Sequence, residues 1–165
     1  MPLRRSVGTA GALLLAVPLL SACSNGMNAE TNREYTPAAG ANNRDAGVDI
    51  LGAVVVSGQQ GSGTFIATLV NNSAGSEAAM SSVAAGPDGR SVKAGEFSPV
   101  TIPARGEVNL ATDQGAAIQP IVLTGDFAAG QYVELVLGLA DGETVTMDVP
   151  VVSDDGYFEG LDSSV

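Results

Sequence analysis

Strict alternation of apolar and polar positions near the end of the chain constrains the fold more than any other feature. Apolar residues occupy every second position over 133–139 and again over 145–151. Successive side chains of a strand point to opposite faces, so each segment presents one face to a core and one to water. Ala140-Asp141-Gly142-Glu143 lies between the segments, and Asp-Gly favours a hairpin turn because glycine tolerates a positive φ. The side chains predicted inside are Leu135, Leu137, Val145, Met147 and Val149, and those predicted outside are Glu134, Thr144, Thr146 and Asp148.

The remaining strand candidates are short and are separated by turn residues. Gly, Pro and Asn interrupt the pattern every 8–15 residues or so, and no segment has the period of a long amphipathic helix. Pro120 and Pro150 donate no ladder hydrogen bond, which places them at a strand edge, start or end. These features predict an all-β fold, a single Greek-key sandwich of immunoglobulin-like or cupredoxin-like type over 48–151. The further strands are predicted at Val48–Val56, Thr64–Asn71, Met80–Ala85, Phe97–Ile102, Glu107–Ala111 and Ile118–Thr124.

The first residues of the chain predict where the protein is located. Arg4 and Arg5 precede an apolar run over 7–20, which has the layout of a secretory signal. Leu20-Ser21-Ala22-Cys23 ends this run and resembles the lipobox of bacterial lipoproteins, in which the Cys receives a diacylglycerol and becomes the first mature residue. Two acyl chains such as palmitate give stable membrane binding. We therefore expect a signal peptide at 1–22, lipidation of Cys23, and a lipid anchor on the extracytoplasmic face of the cell membrane.

Two other interpretations of this segment stay open. The apolar run is shorter than the ~20 residues of a membrane-spanning helix, and Gly8, Thr9 and Pro18 interrupt it. An ordinary secretory signal would leave Cys23 as a free thiol, which is unusual in a secreted protein. Residues 23–47 have little apolar content, which predicts a lipidated flexible tether in which Tyr35 alone is suited to pack on the domain.

The charge of the mature chain excludes some partners. All 18 acidic residues follow Cys23, whereas Arg4 and Arg5 are two of the seven basic residues, so the mature net charge is −13. Phosphate binding needs a basic stripe, so no nucleic-acid partner is expected. An anionic membrane surface would repel this domain, so we expect the lipid anchor, and not a basic surface patch, to attach it to the membrane. The carboxylates either attract cations or serve solubility, and solubility is the favoured explanation.

The sequence carries few groups suited to catalysis. It contains no His, which removes the Ser-His-acid triad and the commonest transition-metal ligand. Gly-x-Ser-x-Gly and Ser-x-x-Lys motifs are absent, and the glycines of 58–63 match neither a phosphate-binding loop nor a dinucleotide fingerprint. Cys23 is the only Cys and is predicted to carry lipid. We therefore predict no catalytic residues, no cofactor and no enzymatic activity; an enzyme that uses carboxylates alone is the remaining alternative.

Residues 152–165 are predicted to form an acidic C-terminal tail. Hard cations favour oxygen ligands, but the carboxylate spacing does not match an EF-hand loop, so a solvated tail is favoured over a Ca²⁺ site. Tyr157-Phe158 in the same tail either folds back on the domain, which is favoured, or forms an exposed docking handle. The carboxylates of the tail are Asp154, Asp155, Glu159 and Asp162.

Three stretches resemble a known family: Ile102–Leu110, Ile121–Gly125 and Phe127–Leu137. Together with Leu69-Val70-Asn71-Asn72 after the second strand, they are similar to the periplasmic copper chaperones of the PCu(A)C family, and most of all to its divergent lipoprotein branch in actinobacteria. The resemblance spans 48–151. It implies a small cupredoxin-like or immunoglobulin-like β-sandwich that carries Cu(I) on His and Met side chains.

The chain departs from the metal site that this resemblance implies. The family has a His and a Met in mid-domain and a His-x-Met on a later strand, whereas Pro87–Lys93 offers neither ligand and Pro120 and Val122 fall on the later positions. Cu(I) prefers thiolate, thioether or imidazole ligands. The mature chain has only Met27, Met80 and Met147, and Met147 is predicted in the core. We therefore predict no metal ligands.

These observations lead to one main functional prediction. The protein is expected to be a lipid-anchored binding or accessory module without enzymatic activity, whose partner is an unknown protein or a small ligand. Its relation to copper rests on the resemblance alone, since fold does not carry function with it. The alternative is a metallochaperone that binds copper through non-standard Met or carboxylate ligands.

Overall fold

The computed structural model describes residues 40–87, 91–111 and 118–165. These ranges contain ten strands and one 3-10 helix, and no helix within them is long and apolar enough to cross a membrane. The strands are β1 Ala41–Asn43, β2 Val48–Gln59, β3 Ser62–Asn71, β4 Ala78–Ala85, β5 Lys93–Ala94, β6 Val100–Ile102, β7 Glu107–Asn109, β8 Ile121–Thr124, β9 Tyr132–Leu139 and β10 Thr144–Ser153, and the 3-10 helix is Gly156–Phe158.

Seven of the strands close into a barrel. The hydrogen-bonded order runs β2, β10, β9, β4, β5, β8, β3 and back to β2. The closing contact is a parallel pairing in which Val151 to Ser153 of β10 lie beside Val55 to Ser57 of β2. Strands β1, β6 and β7 lie outside the ring and pair with β2, β4 and β3. The ring is thinnest at β5, which pairs with β4 at one residue pair and with β8 at two.

The all-β prediction is therefore confirmed, and the Greek-key prediction needs correction. The architecture is consistent with the cupredoxin-like class of β-sandwiches, but it is not specifically a Greek-key sandwich. Two separate sheets would leave β2 and β10 apart, whereas here they are hydrogen-bonded and join the sheets into one ring. Nothing in the local alternation of apolar residues distinguishes these two arrangements, because both bury the same face of each strand.

The hairpin that the alternation predicts is present as β9 and β10. Val145 lies opposite Leu137 and Met147 opposite Leu135, and all four side chains are buried in the barrel core. Thr144, Thr146 and Asp148 are exposed as expected. Glu134 is half-buried instead, because its side chain lies over Gly86, where an added Cβ would collide with it. Pro120 immediately precedes β8, and Pro150 ends the β9–β10 pairing, as their missing N–H groups require.

Several element boundaries differ from the sequence prediction: β6 begins at Val100 and not at Phe97, β8 begins at Ile121 and not at Ile118, and β7 ends at Asn109 and not at Ala111. Strands β2 and β3 turn at 60–61 and not over the whole of 57–63. The Ser57 hydroxyl lies 2.7 Å from the carbonyl oxygens of both Gln59 and Ser62 and donates to one or the other, which supports the extended hairpin. Ala41–Asn43, placed in the tether by sequence, forms β1. Gly40 before it has a φ of +129° and lies so close to the backbone of Gly52 that no Cβ would fit. The sequence does not reveal this packing, because residues 40–43 are small or polar and have the composition of a flexible tether.

The last residues continue the domain as an ordered strap, which we define as residues 154–165. Val152 and Ser153, placed in the acidic tail by sequence, belong to β10. Phe158 and Leu161 of the strap pack on Val54 and Ile66 on the outer face of the barrel, where they help to form a second apolar cluster. The strap is therefore packed on the barrel at Phe158, Leu161 and Asp162, whereas its carboxylates Asp155 and Glu159 are exposed.

Candidate functional site

Asp162 fixes the strap to the turn between β2 and β3. One carboxylate oxygen accepts a hydrogen bond from the backbone N–H of Gly58 at 2.8 Å. The other accepts from the Thr64 hydroxyl at 3.2 Å and from the backbone N–H of Ser164 at 2.9 Å. The residue is only 7% exposed, and two of its partners, Gly58 and Thr64, lie about a hundred positions earlier in the chain. We call this arrangement the Asp162 clasp.

The clasp holds a charged carboxylate and not a neutral acid. Burial by itself raises the pKa of Asp162, but the hydrogen bonds from Ser164, Gly58 and Thr64 together outweigh it and lower the pKa below 3.8. Thr64 is itself buried and accepts a hydrogen bond from the Ser163 backbone at 2.7 Å. All of these donors come from the protein, so the role that the structure supports for Asp162 is to anchor the strap.

The four strap carboxylates do not converge on one point. Asp154 accepts a hydrogen bond from the Leu161 backbone at 3.1 Å, and Asp162 is taken up in the clasp, while Asp155 and Glu159 are exposed. Among the residues that the structure describes, no group of three or more His, Cys, Asp or Glu side chains is placed to hold a metal ion. The strap therefore offers no assembled Ca²⁺ site.

The two methionines of the described ranges are both core residues. Met80 is 0% exposed and Met147 is 8% exposed. Met80 belongs to β4 and lies opposite Leu139 of β9. Met147 belongs to β10, the strand on the other edge of β9, and lies opposite Leu135. Four residues along a strand and two strand spacings separate their Cα atoms by about 16 Å. Their thioethers cannot meet on one ion without opening the barrel. Met27 and Cys23 lie outside the described residues.

The positions where the resemblance implies a later His and Met belong to the start of β8. Pro120 precedes the strand, and Val122 is half-buried within it and lies opposite Thr64. Ile121 and Leu123 on either side of Val122 face the core. The mid-domain segment Pro87–Lys93 is described only at 87 and 91–93, so that prediction lies largely outside the described residues.

A polar groove of about 660 Å³ extends to Gln119, the residue before Pro120. Its walls come from β4 and from the segment after β5, and we call it the hydroxyl groove after Ser81, Ser82 and Ser98, which line it with Glu96 and Gln119. Ser81 donates a hydrogen bond to the Gly138 carbonyl at 3.2 Å. Hydroxyl, amide and carboxylate oxygens recognise polar ligands by hydrogen bonding but are poor partners for Cu(I).

A smaller pocket of about 280 Å³ lies at the end of the barrel where β2 begins and β3 ends. Asn71 lines it, but this side chain is fully used, since its amide donates to the carbonyls of Ser76 and Ile102 and its oxygen accepts from the Ser73 backbone. Asp49 nearby accepts from Asn72 at 2.7 Å and from Arg44 at 3.3 Å. The Asn71-Asn72 pair therefore shapes the loop after β3.

A third cavity lies between the strap and the barrel, and sequence reasoning did not find it. It measures about 410 Å³ and has Leu51, Ile66 and Ala111 on the barrel side and Tyr157 and Leu161 on the strap side. We call it the tyrosine groove. Of the favoured fold-back of Tyr157-Phe158, only half is correct: Phe158 packs on the barrel, whereas Tyr157 is 90% exposed.

Comparison with known proteins identifies the fold. No family model and no curated protein matches the chain. Among solved structures, the apo PmoF2 PCuAC domain matches at 16% identity with a TM-score of 0.52, over 70% of this chain and 98% of that domain. The copper-bound PCuAC domain from PmoF2 matches at 16% identity with a TM-score of 0.50, over 68% of this chain and 98% of that domain. The chain has a PCuAC-like fold. At this identity the likeness concerns the fold alone. It confirms the predicted likeness to the PCu(A)C fold, while the assignment to a lipoprotein branch stays a prediction.

Proposed function

We propose that this protein is a lipid-anchored, extracytoplasmic binding or accessory module, without enzymatic activity, that uses a PCuAC-like barrel for a purpose other than carrying copper. The lipobox-like sequence before Cys23 supports the anchor and its location. The lack of His and the single Cys support a role other than catalysis, because the usual nucleophile–base pairs cannot be assembled.

One observation carries the proposal that copper is not the cargo. Met80 and Met147 are the soft ligands within the described ranges, and both are packed in the core on opposite sides of β9. A copper site needs several soft ligands that converge on one point. The hydroxyl groove presents hydroxyl, amide and carboxylate groups instead.

Competition for Cu(I) tests this proposal. The full chain in neutral detergent is mixed with a coloured Cu(I) chelator, and metal transfer is followed by absorbance. We expect no stoichiometric withdrawal of Cu(I) from the chelator. Cys23→Ser controls for a thiol that escaped lipidation, and Met27→Leu controls for the one methionine of the predicted mature chain that lies outside the described ranges.

The opposite result would favour the alternative metallochaperone. Tight stoichiometric binding that disappears on Met80→Leu or Met147→Leu would show that the barrel opens to bring a buried thioether to the metal. Tight binding that survives both substitutions, but is lost with carboxylate substitutions, would assign the metal to oxygen ligands.

A further inference from the structure

The 3-10 helix presents one aromatic ring on a rigid support. Tyr157 is 90% exposed, and its ring packs edge-on against Phe158 with centroids 5.1 Å apart and an interplanar angle of 89°. Phe158 in turn packs on the apolar cluster of the outer barrel face. The Asp162 clasp fixes the strap a few residues later. The Tyr157 ring is therefore held in place before any partner arrives, which lowers the conformational entropy that binding costs.

The tyrosine groove beside this ring is built to receive apolar side chains. Its volume of about 410 Å³ falls in the ~300–1,000 Å³ range of ligand clefts. Leu51, Ile66 and Leu161 contribute to its lining, and every lining residue is uncharged. Exposed tyrosines beside such a cleft are among the side chains that most often dominate the energy of an interface.

The strap that carries Tyr157 and Leu161 into the tyrosine groove has negative charge only. Asp155 and Glu159 flank Tyr157 and are exposed, and Asp154 is half-buried next to them. Residues 151–165 include no Lys or Arg. A cation over the Tyr157 ring would be attracted by the ring face as well as by these carboxylates. A second copy of this acidic chain and an anionic lipid surface would both be repelled here.

We infer that the tyrosine groove docks a basic segment of a partner protein, one that places an aliphatic or aromatic side chain in the groove and a Lys or Arg against Tyr157 and its flanking carboxylates. This inference rests on the proposed role as a binding module, for which it names the class of partner.

The test uses the full chain in neutral detergent and a short fluorescein-labelled synthetic peptide in which Arg and Lys alternate with Leu and Phe. A second peptide has the same charge but Ser in place of Leu and Phe. Binding is measured by fluorescence anisotropy, with a metal chelator present. We expect the first peptide to bind more tightly than the second. Tyr157→Ala should weaken its binding by about tenfold or more, whereas Tyr157→Phe, which keeps the ring, should retain it.

Matched variants separate docking at this groove from general attraction to an acidic protein. Tyr132 is the other exposed tyrosine of the described ranges, at 62% exposure, and lies outside the tyrosine groove, so Tyr132→Ala should leave binding unchanged. A double variant with Asp155→Asn and Glu159→Gln should weaken binding and reduce its dependence on salt. Far-UV circular dichroism confirms that each variant is folded.

Several outcomes would overturn the inference. Equal binding of the two peptides, equal effects of Tyr157→Ala and Tyr132→Ala, or no binding at all would each do so. A dimer of this chain that dissociates on Tyr157→Ala would assign the groove to a second copy. The Cu(I) competition is run on the same preparations: if neither peptide nor copper binds, only the peptide inference fails, whereas copper binding overturns the proposed function itself.

Discussion

Asp162→Asn should destabilise the protein far more than the same change at Asp155. Both residues lie in the strap, and both substitutions remove one negative charge. Asp162 is buried and accepts hydrogen bonds on both oxygens. Asp155 is exposed, and its side chain makes no capping hydrogen bond to the 3-10 helix that follows it. Comparing Asp162→Asn with Asp155→Asn therefore separates the contribution of the clasp's hydrogen bonds to stability from the effect of removing one negative charge.

The magnitude follows from the donors around Asp162. An Asn side chain offers one oxygen and one NH₂ group, so it can serve either Gly58 on one side or Ser164 on the other. Its NH₂ then faces a backbone donor. Hydrogen bonds to a charged group contribute about 1.5–3 kcal/mol each, so we expect Asp162→Asn to lower the free energy of unfolding by about that amount. Asp155→Asn should change it by less than about 0.5 kcal/mol.

Urea unfolding followed by far-UV circular dichroism measures both free energies. Limited proteolysis within 154–165 reports separately on release of the strap, which we expect to be faster in Asp162→Asn. Equal losses of unfolding free energy at the two positions would refute the reasoning, since they would show that the clasp contributes no more than one surface charge. A strap that stays protected in Asp162→Asn would refute it as well.

The same clasp predicts how stability depends on pH. The hydrogen bonds from Ser164, Gly58 and Thr64 overcome burial and hold the pKa of Asp162 below 3.8. A carboxyl group whose pKa is lower in the folded state stabilises the fold at pH values above its unfolded-state pKa. That stabilisation is lost as the pH falls through the folded-state pKa. The difference in unfolding free energy between wild type and Asp162→Asn should therefore be constant near neutral pH and shrink below pH 3.8.

The remaining predictions concern the core and the anchor. Leu137→Ala should lower the unfolding free energy by about 2–5 kcal/mol, because Leu137 is fully buried in the barrel. Thr146→Ala, on the exposed side of β10, should lower it by less than about 0.5 kcal/mol. Similar losses in urea unfolding would mean that the assignment of the two residues to inner and outer faces is wrong. Cys23→Ser should release the protein from membranes or leave the precursor uncleaved, because the lipid is attached through sulfur; an unmodified Cys23 in mass spectrometry of the wild-type N-terminus would contradict the anchor.

Local patterns predicted the strands well because each strand buries its own face. The β9–β10 hairpin depends only on alternation and on Asp141-Gly142 between the strands, and both are visible over a short window. The closure of the barrel depends on Val151 lying beside Val55, nearly a hundred positions away. Apolar alternation is the same whether or not that pairing forms, so it cannot report the barrel.

The packing of the strap on the barrel is not visible in the sequence for a related reason. In the sequence Asp162 looks like Asp154, Asp155 and Glu159, one more carboxylate in an acidic stretch. Its burial depends on Gly58 and Thr64, which tertiary structure brings to it. The one local signal was the pair Phe158 and Leu161, which has the spacing of one face of a helical turn and could have indicated a segment that packs on the barrel.

The start of β8 shows how a PCuAC-like barrel persists without the ligands that the resemblance implies. Ile121 and Leu123 point inward and are buried, so they belong to the core. Pro120 and Val122 alternate with them and are half-buried, on the other face of the strand. Substitutions on that face leave the packing of the inner face intact. Metal-binding side chains on the outer face of a barrel can therefore be replaced at little cost in stability. The fold and the ligand set are thus carried by different residues, and the function of this chain has to be argued from its own outward surface, where the tyrosine groove and the acidic strap lie.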